Sequence, residues 1–409
     1  MPDYERDDVT LGTDTATGQD FRITDIERRS GLYILGIQGR GKTTMLKSLI
    51  LQDILNGHGV FFLDPHGQAI EDLLTHIPQE REKDVILLDP SDETHAFGIN
   101  LLECRDPNSL TERTDTYGQA IDIFTKLFAN PQTQELDILL SQYLPNSFYP
   151  LIANQGATLC EVPLFLRDKP VRDRLLKHPV IENHNHEVVD FWHETFDRMD
   201  PDRQAEDIAS TQRRLQRFLT YEHTKHIIGQ TQTTLNFTDI MDNRRILFVK
   251  LTDALPPDIW KMIGTMLVSN LVHAVKLRER KPEGQRRHFC IFVDEFQNFA
   301  FHNLASSNDF EVLFTQARKY AVATTIAHQE RFGQFADNKQ IAGATDAAVI
   351  KLFFRPTPHD AREQAAEFTT VTTTTETRLE PELVISMEPF WDLLKRAFGD
   401  SDVPQVTPL

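Results

Sequence analysis

Residues Gly36-Ile37-Gln38-Gly39-Arg40-Gly41-Lys42-Thr43 run G-x-x-x-x-G-K-T, and no other feature constrains the fold as strongly. This spacing serves a loop that wraps a phosphate with backbone N–H groups, so glycines stand where side chains would collide. The loop needs a strand before it and a helix after it, with the helix N-terminus turned toward the anion. Both are legible. Leu32-Tyr33-Ile34-Leu35 is a short apolar run that reads as a buried strand. After Gly41, the residues Met45, Leu46, Leu49, Ile50, Ile54 and Leu55 recur at helical spacing until Gly57, a glycine placed to end a helix. Gly36, Gln38, Gly39, Arg40, Gly41, Lys42, Thr43 and Thr44 are therefore the candidate nucleotide-binding residues. In such a loop the lysine reaches the β- and γ-phosphates, and the Thr43 hydroxyl completes a Mg²⁺ shell.

A nucleotide loop of this type needs carboxylates from a second strand. Phe289-Cys290-Ile291-Phe292-Val293-Asp294-Glu295 supplies them: an apolar run that ends in two adjacent acids. Asp294 is the candidate Mg²⁺ partner. Glu295 is the candidate general base for an attacking water, which favours hydrolysis over transfer to another substrate.

The remaining pattern predicts an α/β fold, a mostly parallel sheet with helices on both faces. Apolar runs at 60–63, 85–88, 245–251, 289–293, 322–326 and 349–354 read as strands. From 105 to 234 the β-branched runs give way to helical periods, among them Tyr117–Ala129, Glu135–Leu144, Glu187–Met199 and Arg203–Leu219. The predicted organisation is an N-terminal extension (1–29), a first core part (30–104), an all-helical insertion (105–234), a second core part (235–365) and a polar acidic C-terminal segment (366–409). Residues 1–30 read as mixed and turn-rich. The three cysteines are too few and too far apart for a disulfide framework or a CxxC metal site, which points to a reducing compartment. The most apolar stretch, Trp260–Val275, carries Lys261, Ser269, Asn270 and His273 and reads as a buried helix rather than a membrane span.

Several separate stretches resemble the HerA/FtsK branch of RecA-like P-loop motors, and most closely its TraG/TraD coupling ATPases of conjugation and type IV secretion. They are the phosphate loop through Thr44, Leu63-Asp64-Pro65-His66-Gly67, Leu88-Asp89-Pro90-Ser91 with Gly98-Ile99-Asn100-Leu101-Leu102-Glu103, and Val293-Asp294-Glu295-Phe296-Gln297-Asn298-Phe299. Ala317-Arg318-Lys319-Tyr320, Ala327-His328-Gln329 and Lys351-Leu352-Phe353-Phe354-Arg355 with Asp360-Ala361 follow in the group's order. Gln68, Ala321 and Gly343-Ala344-Thr345-Asp346 depart from its pattern. Asp64 and His66 read equally as neighbours that support the site's ligands or as packing residues, and His328 reads as structural.

The resemblance implies an ATP-hydrolysing, Mg²⁺-dependent DNA translocase that forms a ring, typically a homo-hexamer, with ATP between subunits and DNA in the channel. The insertion would cap that channel. Arg318 matches the position of an arginine that completes a neighbour's site, Arg355 is a second candidate for that role, and Gln329 matches a sensor glutamine. Membrane-anchored coupling proteins carry N-terminal transmembrane helices, and none is read here. The expected setting is therefore cytoplasmic, or peripheral to a membrane secretion complex, with a relaxase, a secretion complex or a nuclease as partner. Two alternatives share the ATPase core: a HerA-like motor paired with a nuclease in DNA processing or defence, and an ATP-gated assembly protein with a protein client.

Net charge bears on the DNA expectation. The chain carries 43 Lys and Arg against 61 Asp and Glu, a balance of −18 that disfavours a broad phosphate-binding surface. The acids are unevenly placed. Residues 1–20 hold six acids and one Arg, 356–409 ten acids and four bases, and 105–234 nineteen acids and fourteen bases. The core is left at −2, which permits a channel lined by a few bases from each subunit. Candidate clusters are Arg278, Arg280, Lys281, Arg286 and Arg287; Arg213, Arg214 and Arg217; and Arg167, Lys169, Arg172, Arg174 and Lys177. No sequence-reading motif accompanies them, so any DNA contact is non-specific.

Overall fold

A computed structural model describes residues 8–92, 94–128, 136–251, 255–299, 304–331, 343 and 345–362. The expected acidic segment at 366–409 lies outside them. Nine strands are described: β1 (Val9–Thr13), β2 (Asp20–Ile23), β3 (Leu32–Gly36), β4 (Gly59–Asp64), β5 (Val85–Leu88), β6 (Ile246–Lys250), β7 (Phe289–Val293), β8 (Val322–His328) and β9 (Ile350–Phe354). Seven of them form one sheet in the order β5-β6-β4-β7-β8-β3-β9, with every pairing parallel.

The central strands are apolar on both faces because helices cover both. Leu32, Ile34, Val60, Phe62, Phe248 and Phe292 pack on one side with Met45, Leu46, Leu49 and Ile50 of the helix Lys42–Leu55. Tyr33, Leu35, Phe61, Leu63, Val249 and Ile291 pack on the other with Ile263, Leu267 and Leu271 of the helix Pro257–Leu277. A parallel sheet puts the carboxyl ends of all its strands on one edge, where ligands of such sheets bind. Gly36, Asp64, Val293 and His328 close their strands along that edge. β8 separates β3 from β7, so the phosphate loop and the two acids flank the end of β8.

Between β5 and β6 the described chain is helical, from Leu110–Phe128 through Ile138–Ala153 and Pro201–Leu219 to Glu222–Ile228. Its two ends are stitched together. Ile99 N–H donates to Ile227 O (2.9 Å), Thr234 N–H to Gly98 O (3.0 Å), and Asn100 N–H to Thr233 Oγ1 (3.0 Å). Gly98 permits this approach, since a Cβ there would lie 2.6 Å from Gln232 O. The segment also shares its core with the sheet. Gln119 Nε2 donates to Asn270 Oδ1 (2.7 Å), and buried Lys126 donates to Asp309 Oδ2 (2.7 Å) and Ser269 Oγ (3.2 Å). Those bonds join its first helix to Pro257–Leu277 and to Leu304–Thr315, the helix downstream of the acid pair.

The N-terminus differs from the turn-rich reading. β1 and β2 pair as an antiparallel hairpin, and Thr24 and Glu27 form a capping box on the helix Asp25–Arg28. An irregularity between Thr10 and Gly12 breaks the alternation that would have marked the strand. The hairpin docks through Gln52, which accepts from Thr10 N–H (2.7 Å) and donates to Thr10 O (3.0 Å). Arg28, fully buried, closes the docking with a two-pronged pair to buried Asp53, Nη2–Oδ2 2.8 Å. No described helix is long and apolar enough to cross a membrane.

Candidate functional site

The loop after β3 is built as its glycines require. Gly39 (φ 74°) and Gly41 (φ 99°) are left-handed, and Gly41 caps the helix Lys42–Leu55. Gly36 faces the end of β9, where a Cβ would lie 2.0 Å from Phe354 O. Gly36→Ala is therefore expected to prise β9 from β3. The expected cost is about 1–3 kcal/mol, as for other overpacked sites, read as a lower melting temperature together with weaker binding of a fluorescent ATP analogue.

Lys42 lies buried at the helix start, with Nζ 3.4 Å from Ile37 O across the loop. Thr43 Oγ1 donates to Asp294 Oδ2 at 3.1 Å, which brings the loop and the acid strand together. Glu295 follows in a left-handed conformation (φ 45°, ψ 48°), unusual for a residue with a side chain. Its carboxylate is held at both oxygens. Gln329 Nε2 donates to Oε1 at 2.6 Å, and Gln297 Nε2 donates to Oε2. Glu295 N–H in turn donates to Asp294 Oδ1 at 2.9 Å.

The electrostatics are those of a crevice built for a cation. Burial, reinforced by the charges of Glu295 and Asp64, pushes the Asp294 carboxyl up to about 7. Burial lowers the Lys42 ammonium, while Glu295 and Asp294 pull it back up. A hydroxyl and a carboxylate meeting at the mouth of a glycine cradle make a hard-oxygen donor set that suits Mg²⁺. Asp64 is otherwise engaged: Oδ1 accepts from His66 N–H and Oδ2 from Ala69 N–H, both at 2.9 Å, which fixes the turn after β4. His66 is exposed. His328 is buried, bonded to Tyr33 Oη at 2.7 Å and edge-on to Phe296.

The two arginines part company. Arg318 is exposed on the 3-10 turn Ala317–Tyr320, at the start of β8 and so on the opposite edge of the sheet. A strand of this length spans roughly 20 Å, which keeps Arg318 from its own chain's Lys42. Ala321, which stands where the family pattern has glycine, adopts a left-handed conformation (φ 57°) in that turn. Arg355 follows β9, and its carbonyl accepts from Ile37 N–H of the phosphate loop at 3.4 Å. Its backbone thus borders the phosphate loop of its own chain, while the residue itself is exposed.

Much of the basic charge is spent on structure. Arg278 is fully buried and donates to Arg287 O, Arg286 caps the carbonyls of Arg278 and Lys281, and Lys281 pairs with Asp242. Arg172 is buried against Trp192 and Phe196, and Lys169 pairs with Asp197. Arg213 and Arg217 are exposed, and Arg214 pairs with Asp137 at 3.4 Å. The contact missed in the sequence is that of Gln297 with Glu295; its signal was a place in the resembling stretch Val293–Phe299, two residues after the base.

No protein-family model and no curated protein matches the chain. Solved structures do. VirB4 of Thermoanaerobacter pseudethanolicus aligns with a TM-score of 0.59 at 14% identity, covering 88% of this chain and 88% of that one. The plasmid coupling protein TrwB in complex with the non-hydrolysable ATP analogue ADPNP aligns with a TM-score of 0.56 at 16% identity, covering 84% and 74%. TrwB in complex with ADP and Mg²⁺ gives 0.52 at 16% identity, covering 82% and 73%. The likeness is one of fold: a RecA-like P-loop core with helices on both faces of a parallel sheet.

Proposed function

We propose that this chain is a Mg²⁺-dependent ATPase that works as a ring and drives DNA through its channel, in the manner of a conjugative coupling protein. One observation carries the reading. Lys42, the Thr43–Asp294 pair and the Glu295–Gln329 pair converge at one crevice. The nucleotide complexes of TrwB, a protein of the same fold, support ATP and Mg²⁺ as its ligands.

The backbone N–H groups from Gln38 to Thr43 would bind the phosphates, and Lys42 would neutralise the terminal ones. Thr43 and Asp294 would hold Mg²⁺, which when bound draws charge from the phosphate oxygens. Glu295 accepts a proton from the attacking water, and Gln329 reports the terminal phosphate by moving between it and Glu295. Arg318, exposed on the far edge, supplies positive charge to the crevice of a neighbouring subunit. Each subunit is thus incomplete alone, which ties turnover to a ring. Arg355 is the second arginine proposed for the role given to Arg318. Non-specific DNA contact falls to exposed bases such as Arg213 and Arg217 on the helical insertion, and the working location is the cytoplasmic side of a secretion complex.

Binding of a fluorescent ATP analogue tests the first step. Wild type should bind saturably and more tightly with Mg²⁺ than with EDTA, and Lys42→Ala should weaken binding at least tenfold. Equal binding by both proteins would refute the assignment of the crevice.

A further inference from the structure

The Glu295 carboxylate accepts one amide donor on each oxygen, and the two donors come from different places. Gln329 follows β8, the strand that separates the phosphate loop from the acid strand. Gln297 belongs to the same short turn as Glu295, Phe296–Asn298. A carboxylate only accepts, so the Gln297 amide must turn its nitrogen toward Glu295 and its oxygen away. That oxygen, Oε1, is buried and has no hydrogen-bond partner among the described residues, and the residue as a whole is 7% exposed. An amide carbonyl left dry and unpaired costs about 1–3 kcal/mol, so it calls for a donor. Beside a general base, the donor that fits is the attacking water.

We infer that Gln297 brackets this water together with Glu295: its amide nitrogen fixes the carboxylate and its carbonyl oxygen accepts the water's second O–H. The inference rests on the ATPase reading above. The water oxygen forms its bond to the γ-phosphorus as the bond from that phosphorus to the β–γ bridging oxygen breaks. The bridging oxygen leaves with the electron pair on ADP. One water proton passes to Glu295, while the other stays on the new phosphate oxygen, directed at Gln297 Oε1. The labour is divided. Gln329 can leave Glu295 for the phosphate, whereas Gln297 holds its grip throughout. Gln297 therefore contributes to the chemical step and not to nucleotide affinity.

The test compares wild type, Gln297→Met and Gln297→Leu, which fill the space without donor or acceptor, with Gln329→Met. Readouts are kcat, KM for ATP, affinity for a fluorescent ATP analogue, and melting temperature. Both Gln297 variants should lose about tenfold or more in kcat, with KM and analogue affinity within twofold of wild type and the melting temperature nearly unchanged. Gln329→Met should move kcat and KM together. A Gln297 variant with wild-type kcat, or one whose kcat falls only in step with affinity or melting temperature, overturns the inference while leaving the ATPase reading intact. A wild-type protein that does not hydrolyse ATP overturns both.

Discussion

Glu295→Gln is expected to bind ATP as well as wild type and to hydrolyse it about 100-fold more slowly or worse, the usual loss when a general base is removed. The substitution keeps the side-chain volume, removes the charge and turns one acceptor oxygen into an N–H donor, which the Gln297 amide can meet by turning its unpaired Oε1 toward it. Affinity should survive because Lys42, Thr43 and the glycine loop are untouched. Folding should survive as well. Glu295 is one of the charges that holds Asp294 up at about 7, so neutralising it relieves repulsion in a buried crevice. The melting temperature should therefore stay level or rise while kcat collapses. Single-turnover hydrolysis measured beside a thermal melt checks both halves. A variant that turns over at the wild-type rate would remove Glu295 from the mechanism.

Arg318→Ala should show a different signature. The residue is exposed and sits on the edge of the sheet away from its own phosphate loop. The variant should fold and bind ATP normally, yet lose about 10³-fold in turnover if its guanidinium completes a neighbour's crevice. Mixing sharpens the prediction. Arg318→Ala subunits have a sound loop, and Lys42→Ala subunits have a sound arginine. An equimolar mixture should recover activity that neither protein shows alone. A mixture as inactive as its parts would place the function of Arg318 elsewhere.

The local parts of the site were legible because their chemistry is written in consecutive residues. Gly36 to Thr43 and Phe289 to Glu295 each carry a strand, a turn and their functional groups within a few positions. The parallel sheet followed from apolar runs alternating with helical periods. What escaped the sequence was long-range. Nothing in the order of the strands told that β8 would lie between β3 and β7, and that placement carries Gln329 to Glu295. The contact of the Arg355 backbone with the phosphate loop depends on β9 pairing at the sheet edge beside β3, more than three hundred residues away in sequence. Lys126 lies within the helical period Tyr117–Ala129, and nothing in that period shows that it is buried, where Asp309 of a distant helix meets it. The N-terminal hairpin hid behind an irregularity, since a broken alternation reads as a turn. Basic clusters misled in the opposite sense: arginines such as Arg172 and Arg278 are charged by composition and internal by packing.

The central claim is that nucleotide turnover is coupled to DNA, and steady-state ATP hydrolysis titrated with duplex DNA tests it most directly. Wild type at fixed concentration should give a rate that rises severalfold and saturates with DNA, an effect that weakens with added salt because the contacts are to phosphates. Glu295→Gln should give no rise. A wild-type rate that is high, sensitive to Glu295→Gln and unchanged at every DNA concentration would leave an ATPase but contradict the translocase.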